Sequence, residues 1–163
     1  ASPYRFVVYS DLRAVREVVP RTRLRQTATL RWNHHLFDDS ALRTQLRAYR
    51  DSWEVTSITA VAEYIVGVGA LDLGVHVRGY AQTKARFYRA SYPIEMPYMT
   101  SDRELSSFVD GFAGATLSYV HPLAGRDVRY ELAGDAFAFS FSEFPALGRR
   151  TGVVLGLGAA VSL

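Results

Sequence analysis

The chain has 163 residues, 48% of them hydrophobic and 13% aromatic, so it suits one domain and is too apolar for a disordered protein. It contains no cysteine, which excludes a disulfide framework, a thiolate metal site and a cysteine nucleophile. The net charge is only +3 and acidic residues are interspersed with the arginines, so the concentrated basic patch of a nucleic-acid-binding protein is absent from the sequence. We therefore expect no nucleic-acid partner.

No stretch of the sequence approaches the roughly 18 consecutive apolar residues that a membrane-spanning helix needs. A membrane protein with this profile has to be a β-barrel, because only a closed set of paired strands otherwise satisfies every backbone group in lipid. The sequence opens without the charged and apolar regions of a signal peptide, so we expect a mature, processed or fragmentary form of an exported protein.

The predicted elements begin with a loop. Residues 1–20 show no clean periodicity and contain two prolines, which favours a long loop over regular structure. From residue 21 onward, apolar and polar residues alternate with period two, which is typical of strands with two different faces. The alternation predicts seven strands, at about residues 22–36, 41–50, 54–66, 70–85, 105–120, 126–141 and 151–163.

The predicted connections alternate in length. Tight turns follow the first, third and fifth strands, at about residues 37–40, 66–69 and 121–125. Wider loops follow the fourth and sixth strands, and the link after the second is short but aromatic. Outer-membrane barrels have short periplasmic turns and longer extracellular loops. We therefore expect a periplasmic C-terminus, with residues 1–20 forming an extracellular loop and residues 21–163 the seven strands of one barrel domain.

Strand length and aromatic placement also favour a membrane barrel. Several predicted strands exceed the about 5–6 residues usual in soluble proteins and match the about 9–11 of a tilted membrane strand. Trp32, Tyr64, Tyr119 and Tyr130 fall near the periplasmic strand ends, where an interfacial aromatic girdle belongs. A soluble β protein rich in aromatic residues is the alternative explanation. The last strand alternates up to Leu163, as in terminal barrel strands, which usually end in Phe.

Four segments carry a family resemblance: residues 17–23 (EVVPRTR), 47–53 (RAYRDSW), 78–88 (RGYAQTKARFY) and 100–108 (TSDRELSSF). In this order and spacing they resemble a family of bacterial outer-membrane β-barrels known only as a domain of unknown function. Ser52 and Gly79 depart from its pattern. The resemblance covers about residues 1–120 and implies that the chain is the C-terminal part of a larger barrel with further strands upstream. It brings no catalytic or binding residues.

The strand count supports the same expectation. Bacterial single-chain barrels have an even number of strands, and an open sheet in lipid would expose two unpaired edges. We therefore expect an all-β, antiparallel, up-and-down transmembrane β-barrel in which about seven strands are contributed here. An N-terminal barrel segment or a partner chain would supply the remaining strands.

The polar faces of the predicted strands carry charges of both signs. In a barrel these side chains would line the lumen: Arg23, Arg25, Arg31, Arg43, Arg47, Glu63, Asp72, Arg78, Lys84, Asp110, Arg129, Glu131 and Asp135. Two interpretations stay open. Arginine rings would favour anionic solutes, whereas pairs of opposite charge on neighbouring strands would neutralise one another and fill a narrow barrel.

A second group of aromatic and charged residues is expected at the extracellular strand ends. Its members are Arg50, Asp51, Trp53, Tyr80, Phe87 and Tyr88. Such a cluster either binds a ligand or packs the base of the loops and locks the hairpins together.

The sequence offers no persuasive catalytic or metal constellation. His34 and His35 are adjacent in a predicted strand and point to opposite faces, so they cannot chelate one metal together. Ser106, Ser107 and Asp110 have no histidine at a spacing that would complete a nucleophilic site. We therefore expect no enzyme activity, no metal and no cofactor.

These observations predict an integral protein of the bacterial outer membrane, in contact with outer-membrane lipid. It would act as a porin-like channel or as a structural or assembly scaffold with an arginine-rich lumen. The main alternative is a non-conducting barrel that anchors the subunits of an envelope complex. A soluble lipocalin-like carrier is a third possibility, and it requires the apolar faces to enclose a cavity.

Overall fold

The computed structural model describes residues 6–144 and 148–161. This part of the chain contains nine strands and one 3-10 helix, Arg103–Leu105, and no helix long and apolar enough to cross a membrane. The strands are β1 Phe6–Val8, β2 Ala14–Arg16, β3 Arg25–Phe37, β4 Ser40–Asp51, β5 Thr56–Val68, β6 Leu71–Gln82, β7 Phe108–Leu123, β8 Arg126–Phe141 and β9 Arg149–Val161.

Strands β3 to β9 form one antiparallel sheet in which every strand pairs with its neighbour in sequence. The all-β fold and the seven consecutive antiparallel strands are thereby confirmed. Closure into a barrel is not observed, because β3 and β9 have no pairing with each other in the described residues. The transmembrane barrel stays a prediction.

The strand bounds agree with the predicted ones to within a few residues, and β8 agrees at both ends. Strand β6 ends at Gln82 rather than near residue 85, although the Thr83 amide still donates to the carbonyl of Thr56 in the β5–β6 register. Strand β7 begins at Phe108 because the 3-10 helix occupies the preceding segment.

The first twenty residues differ from the predicted loop. Residues 1–5 lie outside the described part, but β1 and β2 form a short antiparallel hairpin in which Phe6 faces Arg16 and Val8 faces Ala14. Pairs of three residues are too short for period-two alternation to be detected.

The two ends of the large sheet differ in their connections. At one end, two-residue turns reverse the chain at residues 38–39, 69–70 and 124–125. Gly69, Ala124 and Gly125 take positive φ there, as tight hairpin turns require. At the other end the connections are residues 52–55, 83–107 and 142–148. The predicted alternation of tight turns and longer links is confirmed, with two of the turns shifted toward the C-terminus.

The apolar side chains of the large sheet are on its more exposed face. In β6 the exposed fraction of the apolar residues runs from 42% at Leu71 to 54% at Val77, whereas Asp72, His76 and Arg78 are half-buried. An ion pair, Arg129–Asp72, and a hydrogen bond, His76–Asp135, also reach from β6 to β8 over the top of β7. Both observations indicate that the sheet curves toward its polar face. In a β-sandwich, by contrast, the apolar faces of the sheets point inward.

Most of the buried hydrophobic residues lie outside the large sheet, in a substructure at its long-loop end. We call this substructure the cap; it consists of β1, β2 and residues 83–107. One core cluster joins Val7, Tyr9, Tyr92 and Met99, and a second joins Val55, Ala85, Phe87 and Tyr88. The cap therefore has a packed core of its own, and the second cluster attaches it to the sheet through the β4–β5 connection.

Tyr92 is the centre of the cap. Its fully buried hydroxyl donates its one proton to the carbonyl oxygen of Phe87, with the Thr100 carbonyl oxygen also within reach at 3.0 Å, and accepts from the Thr100 amide at 2.8 Å. Burial raises the pKa of Tyr92 above its usual value, so the phenol stays neutral and keeps donating. Backbone hydrogen bonds from Tyr92 to Val8 and between Val18 and Met99 join the hairpin to the long loop.

Candidate functional site

The polar face of the large sheet gathers the charged residues that the sequence predicted for a lumen. Eleven of the thirteen candidates alternate onto this face within β3 to β8, and Arg23 and Lys84 flank β3 and β6. The sheet is not closed into a barrel in the described residues, so the assignment of this face to a lumen stays a prediction.

Ion pairs connect the strands across much of this face. Those formed by the predicted residues are Arg23–Asp51, Arg43–Glu63, Arg78–Asp110, Lys84–Glu143 and Arg129–Asp72, and a hydrogen bond joins His76 to Asp135. The Arg78–Asp110 pair is the most enclosed of those inside the sheet: its atoms are 2.6 Å apart and the Asp110 side chain is only 4% exposed. Cross-strand pairing of this kind fixes the register of β6 to β8.

A glycine makes one of the two contacts between β6 and β8 possible. His76, Gly114 and Asp135 occupy one row across β6, β7 and β8. His76 Nε2 lies 2.6 Å from the Asp135 carboxylate, directly over Gly114. A Cβ at position 114 would overlap that carboxylate, so the row depends on the absence of a side chain.

The β3–β4 side of the polar face is more basic than the rest. Within the described residues, Arg25 and Arg47 have no carboxylate at ion-pair distance, and Arg31 bonds only to the amide oxygen of Gln45. From β6 to β8 the acidic residues are at least as many as the basic ones: Asp72, Asp110, Glu131 and Asp135 against Arg78 and Arg129. Paired charges with an excess of acidic residues therefore lie toward β8, and arginines without a carboxylate partner in the described residues lie toward β3.

Five phenylalanines also lie on the polar face, and the sequence analysis did not anticipate them. They are Phe108, Phe112, Phe137, Phe139 and Phe141. Neighbouring ring centroids in this group are 5.1 to 6.5 Å apart. The sequence did contain a signal for the three phenylalanines of β8. They have odd residue numbers, like Arg129, Glu131 and Asp135, and alternate residues of a strand share one face.

Within the described residues, two of the cavities lie between this face and the cap. The larger, about 630 Å³, is bounded by four of the phenylalanines together with Arg103 and Arg150. The smaller, about 550 Å³, is polar and includes Arg47 and Arg78. Gln82 and Glu104 border both. The Gln82 amide donates to the carbonyl oxygens of Glu104 and Ser106, which fixes the 3-10 helix above β6.

The predicted extracellular cluster is brought together only in part. Asp51, Trp53, Phe87 and Tyr88 meet at the base of the cap. Arg50 points to the opposite face of β4, and Tyr80 contacts Phe108 and Gln82 instead. The geometry of the four that meet is that of a packed joint, with Trp53 against Phe87 at 5.2 Å.

Asp51 is the polar centre of this joint. Its fully buried carboxylate accepts from Arg23 at 2.6 Å and from the Tyr49 hydroxyl at 2.7 Å. It also accepts from the amides of Trp53 and Val55. The Arg23 guanidinium stacks over the Trp53 ring at 4.3 Å. One carboxylate thus links the segment before β3, the end of β4 and the β4–β5 turn.

The described residues contain no group of three His, Asp or Glu side chains placed to hold a metal ion. His34 stacks on Trp32, and His121 lies beside Tyr119.

The fold and the site define an all-β protein with an open antiparallel meander, an exposed apolar face and an ion-paired polar face. A family of proteins of unknown function (DUF3570) matches residues 3–131, and the chain belongs to that family. The match runs from the cap into β8 and agrees with the predicted membership of an uncharacterised domain family. No curated protein and no solved structure matches the chain.

Proposed function

We propose that the large sheet is part of a β-barrel wall in the bacterial outer membrane, with its polar face toward the barrel interior. The observation that carries this proposal is the inverted burial of the sheet: apolar side chains are exposed while ion pairs are half-buried. In water that arrangement leaves a broad apolar surface uncovered. In lipid the same surface is solvated by acyl chains.

The dimensions of the apolar face support a membrane-spanning role. On β6 the apolar positions run from Leu71 to Ala81. Ten residue steps at about 3.4 Å give about 34 Å along the strand, and a barrel tilt of about 40° reduces the height to about 26 Å. That height agrees with the apolar band of about 25 Å found in outer-membrane barrels.

Aromatic residues lie at a consistent depth on this face. Tyr64, Tyr119 and Tyr130 are each four residues from the tight-turn end of β5, β7 and β8, and Trp32 is five residues from the end of β3. A common depth is expected of an interfacial girdle. On this orientation the tight turns are periplasmic and the cap is extracellular.

A lipocalin-like carrier fits less well, because it would hold its apolar side chains inside a closed cavity. Here the apolar face is the outer, more exposed one.

The open edges call for further strands. All thirteen residues of β3 are exposed, and β3 and β9 each present an unpaired row of backbone groups in the described chain. Such edges are not tolerated in lipid. We propose that additional strands, from elsewhere in the polypeptide or from a partner chain, pair with both.

For the interior, we propose an anion-favouring channel in which Arg25, Arg31 and Arg47 form a basic strip. A second candidate is a non-conducting barrel that anchors an envelope complex. The cross-strand ion pairs and the packed cap favour this second candidate, because both reduce the open cross-section.

Membrane insertion is tested by expressing the full-length protein with its export signal and washing the envelope fraction with alkaline carbonate and urea. We expect the protein to stay in the pellet, to dissolve only in detergent and to migrate faster on SDS gels before heating. A folded protein that leaves the membrane in the wash would contradict the proposal.

The added strands are tested by native mass spectrometry of the purified protein. We expect this 18.2 kDa sequence within a larger polypeptide or bound to a partner chain. A folded species of 18.2 kDa alone would contradict this part. Planar-bilayer recordings then distinguish the two candidates for the barrel interior. A stable anion-preferring conductance supports the channel, and no conductance from folded protein supports the non-conducting barrel.

A further inference from the structure

We propose that the larger cavity is a binding site for a small amphipathic anion, an aromatic ring system that carries one carboxylate. The site lies between the phenylalanines of β7 and β8, the start of β9 and the 3-10 helix of the cap. It is independent of membrane insertion, since its walls are formed by the sheet and cap themselves.

The aromatic wall is the first argument. Phe139 has three ring neighbours among the lining residues: Phe137 at 5.7 Å, Phe141 at 6.3 Å and Phe108 at 6.5 Å. The rings of Phe139 and Phe141 are nearly parallel, with an interplanar angle of 8°. These side chains are on the otherwise charged face, where hydrophobic surface is disfavoured unless something apolar covers it. Stacked and edge-on ring contacts are the interactions that a flat aromatic ligand would extend.

The charge beside this wall is the second argument. Arg150 is opposite Phe139 in the register of β8 and β9. Its side chain is exposed, and no carboxylate of the described residues lies within ion-pair distance of it. Arg103 and Glu104 border the same cavity from the 3-10 helix. The positive charge that carries this argument is that of Arg150, which favours a ligand with a single negative charge.

The preorganised geometry is the third argument. The 3-10 helix is held above the rings by two hydrogen bonds from Gln82 and is capped by the Asp102 side chain, which accepts from the Glu104 amide. The volume of about 630 Å³ lies within the range of roughly 300–1,000 Å³ typical of ligand sites. A fixed roof lowers the ordering cost of binding.

The test uses calorimetric titration of the full-length protein in whichever medium keeps it folded, detergent or buffer. The probes are 2-naphthoate, its uncharged analogue 2-naphthylmethanol, and acetate. We expect saturable binding of 2-naphthoate, weaker binding of the alcohol and none of acetate. No saturable binding of 2-naphthoate, or equal affinity for acid and alcohol, would overturn the proposal.

Two variants locate the binding. Arg150→Gln should weaken 2-naphthoate by about three- to tenfold, the effect of one solvent-accessible charged hydrogen bond, and leave the alcohol unchanged. Phe139→Leu should weaken both ring compounds. Arg31→Gln, a matched loss of charge on the same face outside this cavity, should change neither. Should Phe139→Leu fail to fold, Arg150→Gln against Arg31→Gln still decides, and equal affinities in those two variants would overturn the proposal.

Discussion

Gly114 shows how the polar face depends on a single missing side chain. Its place in the row between His76 and Asp135 lets a β6 side chain reach β8 without touching β7. A Cβ there would also lie 2.6 Å from the carbonyl oxygen of Gly134, which is backbone and cannot swing aside. The contact between the His76 and Asp135 side chains, whose strands are separated by β7, is therefore possible only with glycine at this position.

Gly114→Ala is expected to destabilise the folded protein by about 1–3 kcal/mol, because overpacking moves β7 away from β8 and separates His76 from Asp135. The measurement is the free energy of unfolding from urea titrations. Gly79→Ala is the matched control, since a Cβ at Gly79 in β6 meets no heavy atom within 4 Å. Equal effects of the two substitutions would contradict this account.

Asp51 has the corresponding role at the base of the cap. Asp51→Asn removes the negative charge that Arg23 and Tyr49 share and places an amide donor beside the amides of Trp53 and Val55. We expect a loss of about 2–4 kcal/mol, typical of removing one partner of a buried charged network.

The readout for Asp51→Asn is limited proteolysis of the cap alongside urea unfolding, and the variant should be cut faster within residues 83–107. Asp11→Asn provides the comparison, because the Asp11–Arg13 pair is on the surface and contributes little. A cap as resistant to protease in Asp51→Asn as in the unsubstituted protein would count against the joint.

At the scale of elements, most strands of the large sheet are readable from sequence because they alternate polar and apolar residues over twelve residues or more; β9 instead alternates larger apolar residues with mostly glycine and alanine. The alternation does not identify the two faces where the apolar face has small residues and the polar face has large hydrophobic ones. In the second half of β8 the apolar face carries Gly134, Ala136 and Ala138, and the polar face carries Phe137 and Phe139. Hydrophobicity alone assigns the rings to the wrong face, so the aromatic half of the candidate site was missed.

The cap could not be predicted for a different reason. Its core joins residues far apart in the chain, such as Tyr9 and Met99, whose side chains meet at 3.7 Å. Its strands are three residues long, and the rest is loop and one turn of 3-10 helix. No local periodicity encodes such contacts. Long-range packing is also the reason why the predicted extracellular cluster of aromatic and charged residues is brought together only in part.

The exposed apolar face makes a depth-dependent prediction. Val75→Arg, near the middle of the apolar run of β6, is expected to cost about 2–4 kcal/mol in a bilayer, whereas Val68→Arg beside a tight turn is expected to cost about 0–1 kcal/mol. Urea unfolding from lipid vesicles measures both. If the face were in water, an arginine at either exposed position would cost little, so equally small effects would exclude lipid contact.

At the scale of the whole molecule, the charge distribution predicts that the proposed channel prefers anions to cations. The free arginines are concentrated on β3 and β4, and Arg47 of β4 borders the polar cavity beneath the cap. The strip lies at the same depth as the ion pairs of β6 to β8, on a different part of the barrel wall, because Arg47 shares a cross-strand row with Thr59, Tyr80 and Asp110. Because Arg47 has no carboxylate partner in the described residues, its full charge acts on ions in the interior.

Arg47→Glu is therefore expected to lower the anion-to-cation permeability ratio about two- to fivefold, since one charge at about 8 Å in water contributes roughly 0.5 kcal/mol and the substitution changes two charge units. Reversal potentials under a salt gradient give the ratio. Arg50→Glu is the control: it makes the same charge change three residues away, on the opposite face of β4. Because only the polar face is proposed to line the interior, the control should leave the ratio unchanged. A shift of the same size in both variants would mean that the measured selectivity arises from the overall charge of the protein rather than from this strip.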